Sequence, residues 1–220
     1  MKKANAKREF DDACGIAHAL ELVGERWGLL VLRELMLGPR RFSDLKADLP
    51  GITPSVLTQR LVEFEDRGLI RKSRLPPPAP VQVYEATEWG LEVEAVLQKF
   101  GMWALRSPRH DPTKPVNPVS VILSLKGMFD PAKAGDFRAS IGLRLADQTF
   151  VVTIADGQLG VRRGDVAGCD ATFSGAARDV VAVAYLGAPT DALKIEGDAA
   201  IAKRFTQIFS LPSKASPPSE

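Results

Sequence analysis

Histidine and cysteine are nearly missing from this 220-residue chain, with two of each. Cys14 and Cys169 have no CxxC partner and no surrounding cluster of ligand-type side chains. No zinc or other metal site is therefore expected, and both thiols are expected to be reduced. An excess of one charge is missing too. The 29 basic and 27 acidic residues leave a net charge of +2, so any case for a nucleic-acid partner rests on where the cations fall. No apolar run approaches the roughly 20 residues of a membrane span. The first ten residues lead into no signal-type apolar core, which places the protein in the cytoplasm without a membrane partner. There is no glycine-rich phosphate loop and no nucleophile with a histidine and carboxylate at hand, so neither catalysis nor a cofactor is expected. What is present is 45% hydrophobic residues in a chain long enough for two ordinary domains, which argues against disorder.

Residues 51–74 explain more of the chain than any other stretch. Thr53 offers a hydroxyl cap and Pro54 sits where a missing N–H costs nothing, so a helix starts there, and Gly68 stops it. Leu57, Leu61 and Phe64 recur at helical spacing on one side. Ser55, Thr58, Gln59 and Val62 point to the other, where hydrogen-bonding side chains near the helix start suit a DNA major groove. An ordinary surface helix is the plainer account. The continuation tips the balance: Leu69–Arg74 alternates apolar and basic residues, Pro76, Pro77, Pro78 and Pro80 mark a tip, and residues 81–85 alternate again. This predicts a hairpin whose Arg71, Lys72 and Arg74 straddle a phosphate backbone. With Arg41, Thr53 and Arg60, these residues make up the expected DNA-binding set.

Upstream, residues 1–12 read as a flexible arm in which Lys2, Lys3, Lys7 and Arg8 can touch phosphate, although a solvated tail is the plainer role. A helix is predicted from Cys14 to about Gly24, a second from Trp27 to Gly38 that is central to the core, and a short positioning helix with Phe42, Leu45 and Leu49 inward. The order helix, helix, turn, helix, strand, strand is that of a winged helix-turn-helix. A long helix from Thr87 to about Leu105 follows. Its apolar set Leu91, Val93, Val96, Leu97, Phe100 and Trp103 is wider than one core stripe needs, which favours a partner surface.

Cys14, Val23-Gly-Glu-Arg-Trp27, Leu32-Arg-Glu-Leu35, residues 38–45, Leu57-Thr-Gln-Arg-Leu61, Gly68-Leu-Ile-Arg71 and Tyr84-Glu-Ala-Thr87 together resemble HxlR-type transcriptional regulators, over roughly residues 12–106. The resemblance implies a homodimer built from the first helix and the long helix after the wing, reading a palindromic double-stranded operator. It also implies that Cys14 is a candidate sensor of oxidants or electrophiles, with His18 one turn away able to help. A small buried thiol beside the dimer helix is the alternative.

Four prolines within residues 106–118 mark a linker, giving domains at 13–106 and 119–212 with a disordered tail at 213–220. The second domain is predicted to be α+β. It has an apolar helix from Val119, strands over 137–145 and 148–155 with Asp147 and Gln148 at the bend, strands over 158–162 and 171–174, a helix over 176–186 and a last helix over 198–209 capped by Asp198. Cys169-Asp-Ala-Thr-Phe173 and residues 194–205, with Ile195-Glu-Gly-Asp198 at their heart, resemble sterol carrier protein type two domains, over about residues 120–210. That resemblance implies a mainly antiparallel sheet with flanking helices around a site for a hydrophobic or lipid-like effector. Phe150, Val152, Phe173, Tyr185, Ile201, Phe205 and Phe209 are the candidate lining residues, each of which can equally be plain core. Alternatives to an effector-tuned regulator are a Cys14-dependent redox regulator, or a lipid-carrier module with no DNA function.

Overall fold

The computed structural model describes residues 10–76 and 80–216. Lys2, Lys3, Lys7 and Arg8 of the expected arm, Pro77 and Pro78 of the expected hairpin tip, and the last four residues of the expected tail lie outside them. The chain forms two compact units, Met1–Glu94 and Ala95–Glu220.

The first unit carries α1 (Gly15–Val23), α2 (Gly28–Leu35), α3 (Phe42–Asp48), α4 (Pro54–Asp66), β1 (Ile70–Arg74) and β2 (Gln82–Ala86). Thr53 Oγ1 accepts from the Val56 N–H at 3.3 Å, and Gly68 takes φ +73°, so the sequence signals for both ends of α4 operate as local physics requires. Leu57, Leu61 and Phe64 pack with Val31, Leu32, Leu35, Leu45 and Leu49 in a buried core. β1 and β2 pair antiparallel with Arg71 opposite Glu85 and Ser73 opposite Val83.

The wing is tied to the next helix, α5 (Glu88–Leu105), by Thr87. Its Oγ1 donates to the Gly68 carbonyl at 2.8 Å and accepts from the Gly90 N–H at 3.0 Å. Gly90 has to be glycine, because a Cβ there would stand 2.0 Å from the Leu69 carbonyl oxygen. Gly90→Ala is expected to cost about 1–3 kcal/mol as an overpacked contact. A thermal melt checks this, and an unchanged Tm would show that the junction gives way freely.

The division between units falls within α5, ahead of the proline-rich residues 106–118. The second unit continues with α6 (Pro118–Met128), α7 (Pro131–Ala134), β3 (Ala139–Leu145), β4 (Gln148–Ala155), β5 (Gln158–Arg163), β6 (Ala171–Gly175), α8 (Ala177–Tyr185), a 3-10 turn at Thr190–Ala192, β7 (Lys194–Gly197) and α9 (Ala199–Phe205). The sheet order is β5-β4-β3-β6-β7. Only the β3–β6 pairing is parallel, so the sheet is mainly antiparallel as expected. Ile141, Leu143, Leu145, Phe150, Val152, Ile154, Ala171 and Phe173 are buried residues on the face that receives α9.

Four sequence expectations need correcting. The β3–β4 turn lies at Ala146 and Asp147, with Ala146 at φ +55°, while Gln148 already pairs with Leu145 as the first residue of β4. The last helix stops at Phe205 because the chain beyond it is drawn into backbone pairing. The Asp130 N–H donates to the Ile208 carbonyl at 2.9 Å and the Ser210 N–H to the Met128 carbonyl at 2.8 Å. Residues 213–215 are not loose. The Ala215 N–H donates to the Arg106 carbonyl at 2.8 Å and Lys214 Nζ to the Leu105 carbonyl at 3.0 Å, satisfying acceptors that the end of α5 leaves open. Phe10, inside the expected flexible arm, is held by its N–H donating to Glu21 Oε1 at 2.7 Å.

Candidate nucleic-acid interface

The outward face of α4 presents Ser55, Thr58, Gln59 and Val62, all exposed. Ser55 Oγ lies 3.1 Å from Thr53 Oγ1, and Thr58 Oγ1 donates to the Pro54 carbonyl at 2.9 Å, leaving its oxygen available outward. Gln59 Nε2 donates to Glu63 Oε1 at 3.0 Å. Arg60 is not part of this face. It is 5% exposed, and its guanidinium lies 2.7 Å from Glu63 and 3.8 Å from Glu25. Position 60 shares the helix face of Leu57, Leu61 and Phe64, so helical periodicity carries it inward despite its charge.

On the wing, Arg71 is well exposed but its Nε donates to Glu85 Oε1 at 2.9 Å, the cross-strand neighbour set by register. Lys72 is paired with Glu65 and lies 5.8 Å from the Tyr84 ring centroid. These pairs hold the Glu85 carboxyl below its ordinary range, chiefly through the Arg71 hydrogen bond, and raise the Lys72 ammonium, chiefly through Glu65. Arg74 is exposed, and no ion pair to it occurs among the described residues. Arg41 is exposed at the start of α3 and follows Arg40, whose backbone bridges Tyr84 of β2 at 2.9 and 2.8 Å. Glu63, Glu65 and Glu85 were missed as elements of the site. The spacing of Arg60 to Glu63 and the pairing of a basic with an acidic strand are the signals that could have found them.

Apolar surface lies open on α1 and α5. Ile16 and Leu20 of α1 and Leu91, Val96, Phe100 and Trp103 of α5 are exposed, with the Phe100 and Trp103 rings stacked at 5.6 Å. Cys14 stands at the N-cap position of α1 and is exposed in the single chain. The Ile16 and Ala17 N–H groups lower its thiol pKa. The His18 Nδ1 lies 2.9 Å from Glu21 Oε2. Cys169 is half-buried, and burial followed by Asp170 raises its thiol pKa. A lowered pKa means more thiolate at a given pH, so alkylation of Cys14 is expected to rise with pH through a midpoint below that of a free thiol, and that of Cys169 above it. Iodoacetamide rates followed by mass spectrometry check this, and equal midpoints would contradict it.

The candidate lining set separates into two groups. Phe205 stands 5.6 Å from Phe173 and 5.2 Å from Phe209, and Phe209 stands 5.9 Å from Tyr185, ring centroid to ring centroid. The Tyr185 hydroxyl lies 2.7 Å from Ser124 Oγ, and burial pushes its phenol pKa up. Phe150 and Val152 are fully buried on the same face of the sheet as Phe173, on β4 with β3 between them, and the Arg163 guanidinium lies 4.9 Å from the Phe150 ring centroid. Ile201 is half-buried on α9. Among the described residues, no group of His, Cys, Asp and Glu can hold a metal, and no helix is long and apolar enough to cross a membrane.

Residues 22–111 match the HxlR-like helix-turn-helix family and residues 130–210 the SCP-2 sterol transfer family. An uncharacterised HTH-type transcriptional regulator of Synechocystis is 38% identical over 99 residues, covering 44% of this chain and 73% of that protein. The HTH-type transcriptional regulator YodB of Bacillus subtilis is 35% identical over 86 residues, covering 39% of this chain and 77% of that protein. The solved reduced form of YodB covers 46% of this chain and all of its own at 31% identity, with a TM-score of 0.40. The quinone-bound form covers 40% of this chain and 93% of its own at 31% identity, with a TM-score of 0.35.

Proposed function

The chain belongs to the HxlR-like helix-turn-helix family, and from that premise we propose that it is a homodimeric transcriptional regulator that binds a palindromic operator. The observation that carries this is the outward face of α4: three hydrogen-bonding side chains near the helix start, on a helix whose opposite face is locked in the core, followed by a hairpin bearing Arg71, Lys72 and Arg74. Such a helix enters the major groove while the hairpin meets the backbone. The open apolar surfaces of α1 and α5 supply the contact between copies.

The sterol-carrier-like unit is read as the seat of a hydrophobic effector that tunes operator affinity. Tuning requires that the effector prefer one spacing of the paired recognition helices over another. A second reading rests on Cys14, exposed and with a lowered pKa, as a thiol sensor. Gel shifts on duplexes selected from random DNA separate these readings. The expected result is a complex that weakens as salt rises and that responds either to a lipid extract or, with Cys14→Ser insensitive, to a quinone. A complex unchanged by every lipid fraction would leave the second unit structural, and no complex at low salt would remove the DNA-binding reading.

A further inference from the structure

The buried ion pair behind α4 reaches the base-reading face through one side chain. Arg60 is 5% exposed and its guanidinium meets both oxygens of Glu63, with Nη2 donating to Oε1 at 3.2 Å and Nη1 2.7 Å from Oε2. Arg67 stands 3.9 Å from the same carboxylate, and its own Nη1 is fixed by donation to the Leu22 carbonyl at 2.7 Å. Glu63 is therefore held from behind, and its Oε1 accepts from Gln59 Nε2 at 3.0 Å.

A carboxylate can only accept, so Glu63 dictates which end of the Gln59 amide faces it. The amide nitrogen turns inward with one hydrogen engaged. One hydrogen and the carbonyl oxygen remain for a partner outside. One donor beside one acceptor complements the major-groove edge of adenine, which offers N7 as acceptor and N6–H as donor. Guanine offers two acceptors, N7 and O6, and a freely rotating glutamine can meet both with its two amide hydrogens. With one hydrogen held by Glu63, that option is gone. Fixing the amide in advance also spares part of the rotamer entropy otherwise lost on docking.

Resting on the DNA-binding reading above, we propose that Arg60 and Glu63 are positioning residues that orient Gln59 to read adenine and reject guanine. The charge balance agrees, because two guanidinium groups offset the carboxylate that would otherwise repel phosphate.

The test uses the full chain and a duplex that the wild-type protein selects from random DNA. Gln59→Ala first identifies the base position that Gln59 reads. At that position the wild type is expected to favour adenine over guanine by about tenfold or more, and to lose most of that preference when 7-deazaadenine replaces adenine. Glu63→Ala is expected to bring the adenine-to-guanine ratio to within about twofold of unity while preferences elsewhere in the site stay as in the wild type. Because Glu63→Ala leaves a buried cation unpaired, the double variant Arg60→Met with Glu63→Leu replaces the whole pair by apolar side chains and is expected to behave the same. A wild-type adenine-to-guanine ratio in either folded variant overturns the proposal, as does a Gln59→Ala variant that changes no single position. Failure of the wild type to select any sequence overturns the DNA-binding reading itself.

Discussion

Replacing Gln59 and Arg71 together by alanine is expected to lower affinity for the selected duplex by about tenfold to a few hundredfold, the range of one good base contact, while leaving the melting temperature within about a degree of wild type. Both side chains are exposed. Their hydrogen bonds run to acidic side chains, Glu63 and Glu85, and neither belongs to the packed interior. Loss of Arg71 also removes one phosphate contact, so the slope of log affinity against log salt is expected to flatten by about one unit. Gel shifts over a salt series check both effects. If the helix and hairpin serve only protein contacts, as in a carrier module, neither quantity changes.

Phe205→Ala is expected to destabilise the second unit by about 3–5 kcal/mol, a drop in its Tm on the order of ten degrees. The ring is 1% exposed and meets Phe173 and Phe209 directly, so its removal takes away buried area and leaves a void among rigid neighbours. Helix α4 belongs to the other compact unit. Calorimetry of the full chain measures the shift. A cost below about 1 kcal/mol would mean that Phe205 borders open space instead of filling a core, which is the distinction the effector reading depends on.

How much was readable in advance follows from where each signal resides. The limits of α4 were readable because a hydroxyl cap, a proline and a positive-φ glycine are local devices. The burial of Leu57, Leu61 and Phe64 followed from helical periodicity alone. Arg60 was misplaced because its role depends on Glu63 and on Glu25, which lies on a separate segment of the chain, and a cation is read as solvated until its partners are known. The hairpin was readable from alternation, but the pairing of Arg71 with Glu85 needed the strand register.

In the second unit, the strands were readable from period-two patterning. The parallel β3–β6 pairing, the early stop of α9 and the bonding of residues 213–215 to the end of α5 all depend on segments distant in sequence. The aromatic cluster shows the same limit. Composition supplied the rings, but only the fold decided that Phe173, Phe205, Phe209 and Tyr185 meet while Phe150 and Val152 lie on the same face two strands away.

The central claim is that paired copies present the outward face of α4 to successive major grooves. Hydroxyl-radical footprinting of the full chain on its selected duplex tests this most directly. The account predicts two protected segments on one face of the DNA, about 10 base pairs or a whole multiple apart, both weakened together by Gln59→Ala. A single protected segment, or protection that Gln59→Ala leaves untouched, would contradict it.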